Sequence, residues 1–240
     1  MTESASFTQL QDLSTALASL VASTAPSVTA VQSHRSRSSG FVWRPGLIVT
    51  ADEALSEDGE YAVTLSGGHT VPAQLVGRDP STDVALLRVD RSDLRPVPLE
   101  AAPVPVGALA IAIAAEDGAP TAALGVVSRS EGLWRSLRGG EIDARIELDL
   151  RLRRSAEGGL AVDPVGRAIG MTVFGPRRRV LVIPSATIAR VAARLESHGR
   201  IPRGYLGLGL RLVALEGGRS GAMVMCRSIA MQSMPTRQPR

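Results

Sequence analysis

Between Arg151 and Met171 the chain reads RLRRSAEGGLAVDPVGRAIGM, and this stretch restricts the fold more than any other. A short irregular run closes on Gly158-Gly159. The apolar segment Leu160 to Val162 follows, then Asp163-Pro164-Val165-Gly166, whose proline and glycine fit turn geometry. A second apolar segment, Ala168 to Val173, leaves the turn. The reading is a tight loop, a strand, a turn and a strand. Aromatic residues make up only 3% of the chain, so aliphatic side chains and alanine must fill the core.

The rest of the sequence has the same texture. After an N-terminal segment with Phe7, Leu10, Leu13, Leu17 and Leu20 at helical spacing, short β-rich runs begin near Ser27. Ser6 with Gln9 predicts a capping box, and the helix is expected to run to about Ala22. Leu47 to Ala51 reads as a buried strand. Gly67-Gly68 between Glu60–Ser66 and His69–Val76 is a hairpin signal. Asp83 to Val89 is a further strand. Prolines at 96, 98, 103 and 105 mark a passage that joins two sets of strands. The second set is expected at 108–115, 121–130, 145–150, 159–162, 168–174 and 179–183. Ser185 is expected to cap a closing helix with Ile188, Val191, Ala192 and Leu195 on one face, ended by Gly199. Many short strands with regular turns predict an all-β fold of barrels or sandwiches.

Three stretches, in order, resemble the HtrA/Deg-type trypsin-like serine proteases. The first is Gly46-Leu47-Ile48-Val49-Thr50-Ala51-Asp52-Glu53-Ala54-Leu55. The second is Gly77-Arg78-Asp79-Pro80-Ser81-Thr82-Asp83-Val84-Ala85-Leu86-Leu87. The third is the loop described above, where Asp149, Gly158, Gly159, Val162, Asp163, Gly166, Ile169 and Gly170 stand in register with the family pattern. The resemblance implies a double antiparallel β-barrel with an N-terminal and a C-terminal helix. It implies a helical segment at 1–24, a protease-like domain at 25–199 (barrels at about 25–104 and 105–199), and a third part at 200–240. There Arg203-Gly204-Tyr205-Leu206-Gly207 resembles the start of a PDZ domain. The 38 residues from Arg203 onward fall short of the roughly 80–100 such a domain needs, so a truncated, loosely held segment is expected.

The resemblance also assigns roles to positions. Asp83 falls at the orienting acid, Glu53 at the catalytic histidine and Glu157 at the nucleophilic serine. Ser155 and Ala156 replace the glycine and asparagine of the oxyanion loop, and Gly158 is retained. A hydroxyl nucleophile needs a base to take its proton and an acid to orient that base. A carboxylate at Glu157 has no proton to give at neutral pH and repels a developing oxyanion. Ser155 carries a Cβ where the loop turns on glycine. His34, His69 and His198 fall at no catalytic position and read as surface residues. Three carboxylates brought together need a partner, at least one of them with a raised pKa unless a cation intervenes. Oxygen ligands would suit calcium or magnesium, but Arg153, Arg154, Arg177, Arg178 and Arg179 are closer to hand. The expectation is a Glu157–arginine pair plugging the cleft, with no metal and no cofactor.

The expected function is therefore that of a non-catalytic homologue which binds a peptide or protein ligand through the old cleft. The rival is an active serine endopeptidase with a rearranged site. The apolar stripe of the N-terminal helix either docks on its own domain or makes a subunit contact, as HtrA-like proteins commonly trimerise there. Every one of the 27 basic residues is arginine, yet the net charge is only +4, so neither nucleic acid nor membrane is an expected partner. A single cysteine, Cys226, excludes an intrachain disulfide. The first residues, MTESASFTQL, lack the charged and apolar regions of a signal peptide, so a cytoplasmic location is expected, with periplasmic as runner-up by resemblance.

Overall fold

The computed structural model describes residues 2–34, 36–57, 59–99, 104–201, 208–215 and 219–226. Helix α1 (Thr2–Thr24) leads into β1 (Val28–Ser33), β2 (Ser36–Arg44), β3 (Leu47–Thr50), β4 (Tyr61–Thr64), β5 (Thr70–Asp79) and β6 (Val84–Val89). These six close into an antiparallel barrel in the order β1-β2-β3-β6-β5-β4. The β4–β5 hairpin turns on Gly67 and Gly68, both at positive φ, with Thr64 paired to Thr70.

The second half begins with β7 (Leu109–Glu116) and β8 (Ala119–Glu131). A small hairpin follows, β9 (Trp134–Arg135) and β10 (Glu141–Ile142). Then come β11 (Arg145–Asp149), β12 (Leu160–Val162), β13 (Ala168–Phe174), β14 (Val180–Pro184) and helix α2 (Ser185–His198). The larger strands close a second barrel in the order β11-β14-β13-β12-β7-β8. The expected double barrel with flanking helices is therefore the observed architecture.

Small aliphatic side chains fill three apolar clusters. Val31, Val42, Ile48, Val63 and Leu87 belong to one within the first barrel. Ile146, Leu148, Ala161, Val180 and Val182 belong to another within the second. The third lies between the barrels, where Phe41, Leu86, Ile113, Leu160 and Met171 meet Ile188, Val191, Ala192 and Leu195 of α2. Complete burial of a side chain such as Leu195 contributes roughly 1.5–3 kcal/mol. This third cluster fixes one barrel against the other, and thereby fixes the loops that face each other across the cleft.

Local details differ from expectation at both helices. α1 begins at Thr2, so Ser6 lies inside it rather than at its cap. Its stripe docks only in part. Leu17, Leu20 and Val21 pack on the inter-barrel core, while Phe7 and Leu10 stay 71% and 64% exposed. At α2 the residue preceding the helix is Pro184, and the Ser185 hydroxyl donates to the carbonyl of Ala168 at 2.7 Å instead of capping. It ties the helix to β13. Gly199 ends α2 in the left-handed conformation, donating to Leu195 at 2.8 Å.

Residues 202–240 form a separate unit. Its described part is an antiparallel hairpin, β15 (Leu208–Leu215) and β16 (Arg219–Cys226), paired from Leu208 with Cys226 to Leu215 with Arg219. The PDZ-like start at 203–207 and the tail beyond Cys226 lie outside the described residues.

Candidate functional site

Two loops of the first barrel and one of the second supply the site. The loop after β3 carries Asp52 and Glu53. Buried Asp52 accepts a hydrogen bond from the Arg78 side chain, which also donates to the Asp52 carbonyl at 3.1 Å. Leu55 N–H closes the turn onto the same carbonyl at 3.1 Å. The loop between β5 and β6 is held by Asp79, whose carboxylate accepts from the Ser81 and Thr82 hydroxyls, each at 2.7 Å. It presents Asp83 at φ 58°, a conformation aspartate tolerates better than most residues. Asp83 Oδ1 then accepts the backbone N–H of Glu53 at 2.8 Å, joining the two loops.

The third loop is a single 3₁₀ turn, Arg154–Ala156, followed by Glu157 in extended conformation. Its backbone is pinned from several sides. The Glu157 carbonyl accepts from Ser39 N–H at 2.7 Å, the Ser155 carbonyl from the Ser39 hydroxyl at 2.7 Å, and the Ala156 carbonyl from the Thr172 hydroxyl at 3.0 Å. Gly158 follows at φ 82°, where a Cβ would sit 2.2 Å from the Ser39 carbonyl oxygen. Only glycine fits there, which accounts for that letter in the sequence.

These loops bring Glu53, Asp83 and Glu157 together: one carboxylate oxygen of each lies within 4.8 Å of the others. Like charges so close resist ionising together. Burial, helped by the neighbouring Glu53, Glu157 and Asp52 carboxylates and opposed by the Glu53 N–H, pushes Asp83 up to about 7. Burial also raises Glu157, against the pull of the Phe174 N–H that its carboxylate accepts. Oxygen donors of this kind would suit a hard cation such as calcium or magnesium.

The expected arginine plug is not formed. Among the described residues Glu157 has no arginine within salt-bridge range; its side chain reaches across to Phe174 on β13 instead. Arg153 pairs with Glu116 at 3.4 Å, and Arg179 reaches Glu147 at 3.3 Å. Arg177 and Arg178 sit in the β13–β14 turn at positive φ, and Arg178 lies 5.3 Å above the Phe174 ring. Arg154 and Arg178 act on Glu157 only through their field. Arg153 and Arg154 nevertheless line one cavity together with Glu53 and Glu157, so they stand in the cleft as expected without forming the expected pair. The arginine that does pair in the site is Arg138, whose guanidinium meets Glu53 at 3.1 Å. It comes from the β9–β10 hairpin, where the Ser136 hydroxyl also donates to the Ser81 carbonyl at 2.5 Å. Gly139-Gly140 between two short runs was the available signal for that hairpin.

The profile of the trypsin-like peptidase domain matches residues 38–171, which span both barrels and all three loops. The chain belongs to the HtrA/Deg-type trypsin-like serine protease family. It is 32% identical over 209 residues to a probable periplasmic DegP-like serine endoprotease of Bartonella henselae, covering 77% of this chain and 39% of that protein. It is 32% identical over 185 residues to the chloroplastic Protease Do-like 1 of Arabidopsis thaliana, covering 71% of this chain and 42% of that one. The chain thus spans about two fifths of the length of these relatives. Among solved structures it is similar to Deg5, with a TM-score of 0.70 and 27% identity, covering 78% of this chain and 97% of that one. No helix among the described residues is long and apolar enough to cross a membrane.

Within this HtrA/Deg frame the loop backbone is also informative. Glu157 N–H donates to the Arg154 carbonyl at 3.2 Å, and Ala156 N–H donates to the Arg153 carbonyl at 3.0 Å. A donor committed inside a 3₁₀ turn is not aimed at a substrate carbonyl. His34, His69 and His198 are all exposed, as expected of surface histidines. His34 nevertheless lines one cavity of about 830 Å³ together with Ser155, Glu53 and Glu157.

Proposed function

We propose that this chain is a non-catalytic HtrA/Deg homologue that binds a peptide or protein partner in the former substrate cleft. The observation carrying this reading is the trio of carboxyl groups, Glu53, Asp83 and Glu157, within 4.8 Å of one another where the family's mechanism calls for a base, an acid and a hydroxyl. Such a trio offers no alkoxide precursor and no imidazole. The Glu157 N–H held by Arg154 supports the same reading, because it withdraws a donor from the oxyanion. The purified protein is expected to leave casein intact and to take up no fluorophosphonate probe. Saturable labelling of Ser155, or of any other serine, would sink the proposal.

The rival, a serine endopeptidase with a rearranged site, draws on one observation. Ser155 and His34 line the same cavity. No hydrogen bond joins them among the described residues, and acyl transfer depends steeply on that geometry. The same probe experiment decides between the two readings.

Self-assembly through α1 is part of the proposal. Phe7, Leu10 and Leu13 stay exposed on the helix whose other turns are docked, which favours a contact with further copies of the chain. Sedimentation at micromolar concentration is expected to give an oligomer that Leu10→Glu with Leu13→Glu dissociates. A monomeric wild type would remove this part of the reading. For location, the relatives' names carry the periplasm and the chloroplast, which weigh against the cytoplasmic expectation without replacing it.

A further inference from the structure

A second cavity, of about 540 Å³, opens on the other side of Asp83, between the β9–β10 hairpin and the β13–β14 turn. Its wall is apolar. Trp134, Phe174 and Leu181 line it, with Leu137 at the hairpin tip 100% exposed. An exposed leucine beside an apolar wall suits a side chain arriving from outside.

The rim is cationic. Arg135, Arg138 and Arg145 line the cavity directly. Arg145 shares its partner, buried Glu147, with Arg179 at 3.3 Å and Arg129 at 3.4 Å. Arg177 and Arg178 occupy the adjoining turn. Of the charged groups that line the cavity itself, three are guanidiniums, Arg135, Arg138 and Arg145, and two are carboxyl groups, Glu53 and Asp83. The existing pairs yield easily. Arg135 meets Glu141 at 3.5 Å and Arg138 meets Glu53 at 3.1 Å, all four side chains about half exposed or more, and such pairs are worth at most about 1 kcal/mol. A ligand carboxylate offering bidentate geometry competes well against them.

We infer that this cavity selects acidic peptides: an extended segment that seats a leucine or phenylalanine against Trp134 and Phe174 and offers flanking aspartate or glutamate to Arg135, Arg138 and Arg145. This rests on the peptide-binding reading above and adds the ligand's chemistry to it. Nucleic acid fits less well. Arg145 lies 5.6 Å above Trp134 and Arg178 lies 5.3 Å above Phe174, which takes one face of each ring, and the rest of the wall is aliphatic Leu137 and Leu181, which suits a side chain better than a stacked base.

The test uses the full chain and three fluorescein-labelled decapeptides that share their leucine and phenylalanine residues and carry glutamate, glutamine or lysine between them. Anisotropy at 50 mM salt is expected to show the glutamate peptide binding at least tenfold tighter than the glutamine peptide. The gap should narrow at 500 mM salt. Arg135→Glu is expected to shrink the glutamate-to-glutamine ratio at least fivefold. Equal binding of all three peptides, or a ratio that Arg135→Glu leaves unchanged, would overturn acid selection while leaving peptide binding standing. Binding of none of them would overturn the peptide-binding reading and this inference together. Tight binding of a labelled oligothymidine that displaces the glutamate peptide would overturn the inference in favour of nucleic acid.

Discussion

Replacing Asp83 with asparagine is expected to stabilise the fold at pH 8 and to leave it nearly unchanged at pH 4. Burial raises the Asp83 carboxyl from 3.8 to about 7, so the folded chain holds a proton there that the unfolded chain has released. Between those two values the native state binds more protons than the unfolded state, so stability falls as pH rises. The wild-type contribution is fully present below about pH 4 and is lost by about pH 7. A rise of this size, at 1.36 kcal/mol per unit, amounts to as much as about 4 kcal/mol. Asparagine carries no charge to bury, keeps an oxygen for the Glu53 N–H at 2.8 Å, and tolerates the left-handed backbone at φ 58°. Asp83→Asn should therefore melt about 5–15 °C higher than wild type at pH 8 and converge with it at pH 4. Comparing the two proteins at each pH cancels the titrating groups that do not interact with residue 83, while Glu53, Glu157 and Asp52, which do, lose its repulsion in the variant and add to its advantage at pH 8. A lower melting temperature for the variant at pH 8, or a gap that does not change with pH, would refute the buried, proton-holding acid.

The sequence carried most of the frame and part of the site, and the division has a physical basis. Strand alternation, Gly67-Gly68 and the three motifs depend on local backbone geometry, so they were readable residue by residue. The same motifs located Glu53, Asp83 and Glu157, because a loop between two fixed strands leaves little freedom in where its side chain points. Partners of charged side chains were not readable. Arginine has a long flexible stem, and none of the five candidates for pairing with Glu157 forms that pair: Arg153 and Arg179 take other carboxylates, and Arg154 and Arg178 act on it only through their field. Arg138, which does reach the site, sits 85 positions from Glu53 in the chain, on a hairpin of two-residue strands too short to show a period. Ser185 departs from the expected cap for a related reason. A hydroxyl at a helix start has a local use as a cap, but the Ala168 carbonyl, 17 residues away, took it instead.

Restoring the family's letters at two positions is expected to fail, and restoring a third to succeed. In the double variant Glu53→His with Glu157→Ser, Asp83 is already placed to orient the new imidazole, since its Oδ1 takes the residue-53 N–H and fixes the carboxylate. One carboxylate oxygen of each present side chain lies within 4.8 Å of the others, so positions 53, 83 and 157 face a common point at which a new base and nucleophile can be brought together. The oxyanion still lacks its donors. The N–H of residue 157 remains committed to the Arg154 carbonyl at 3.2 Å, in a turn that the Ser39 hydroxyl pins through the Ser155 carbonyl at 2.7 Å. Adding Ser155→Gly removes the Cβ and opens the backbone conformations needed to turn the Arg154 carbonyl away. An oxyanion donor is worth about 10²–10³ in rate. Fluorophosphonate labelling of the triple variant should therefore run about 10²–10³ times faster than that of the double variant, with casein cleavage detectable only in the triple. Equal rates in the two would show that the 3₁₀ turn does not obstruct the oxyanion. A silent triple variant, folded by its melting curve, would show that the obstruction lies beyond residue 155, in the contacts by which Ser39 and Thr172 hold this loop.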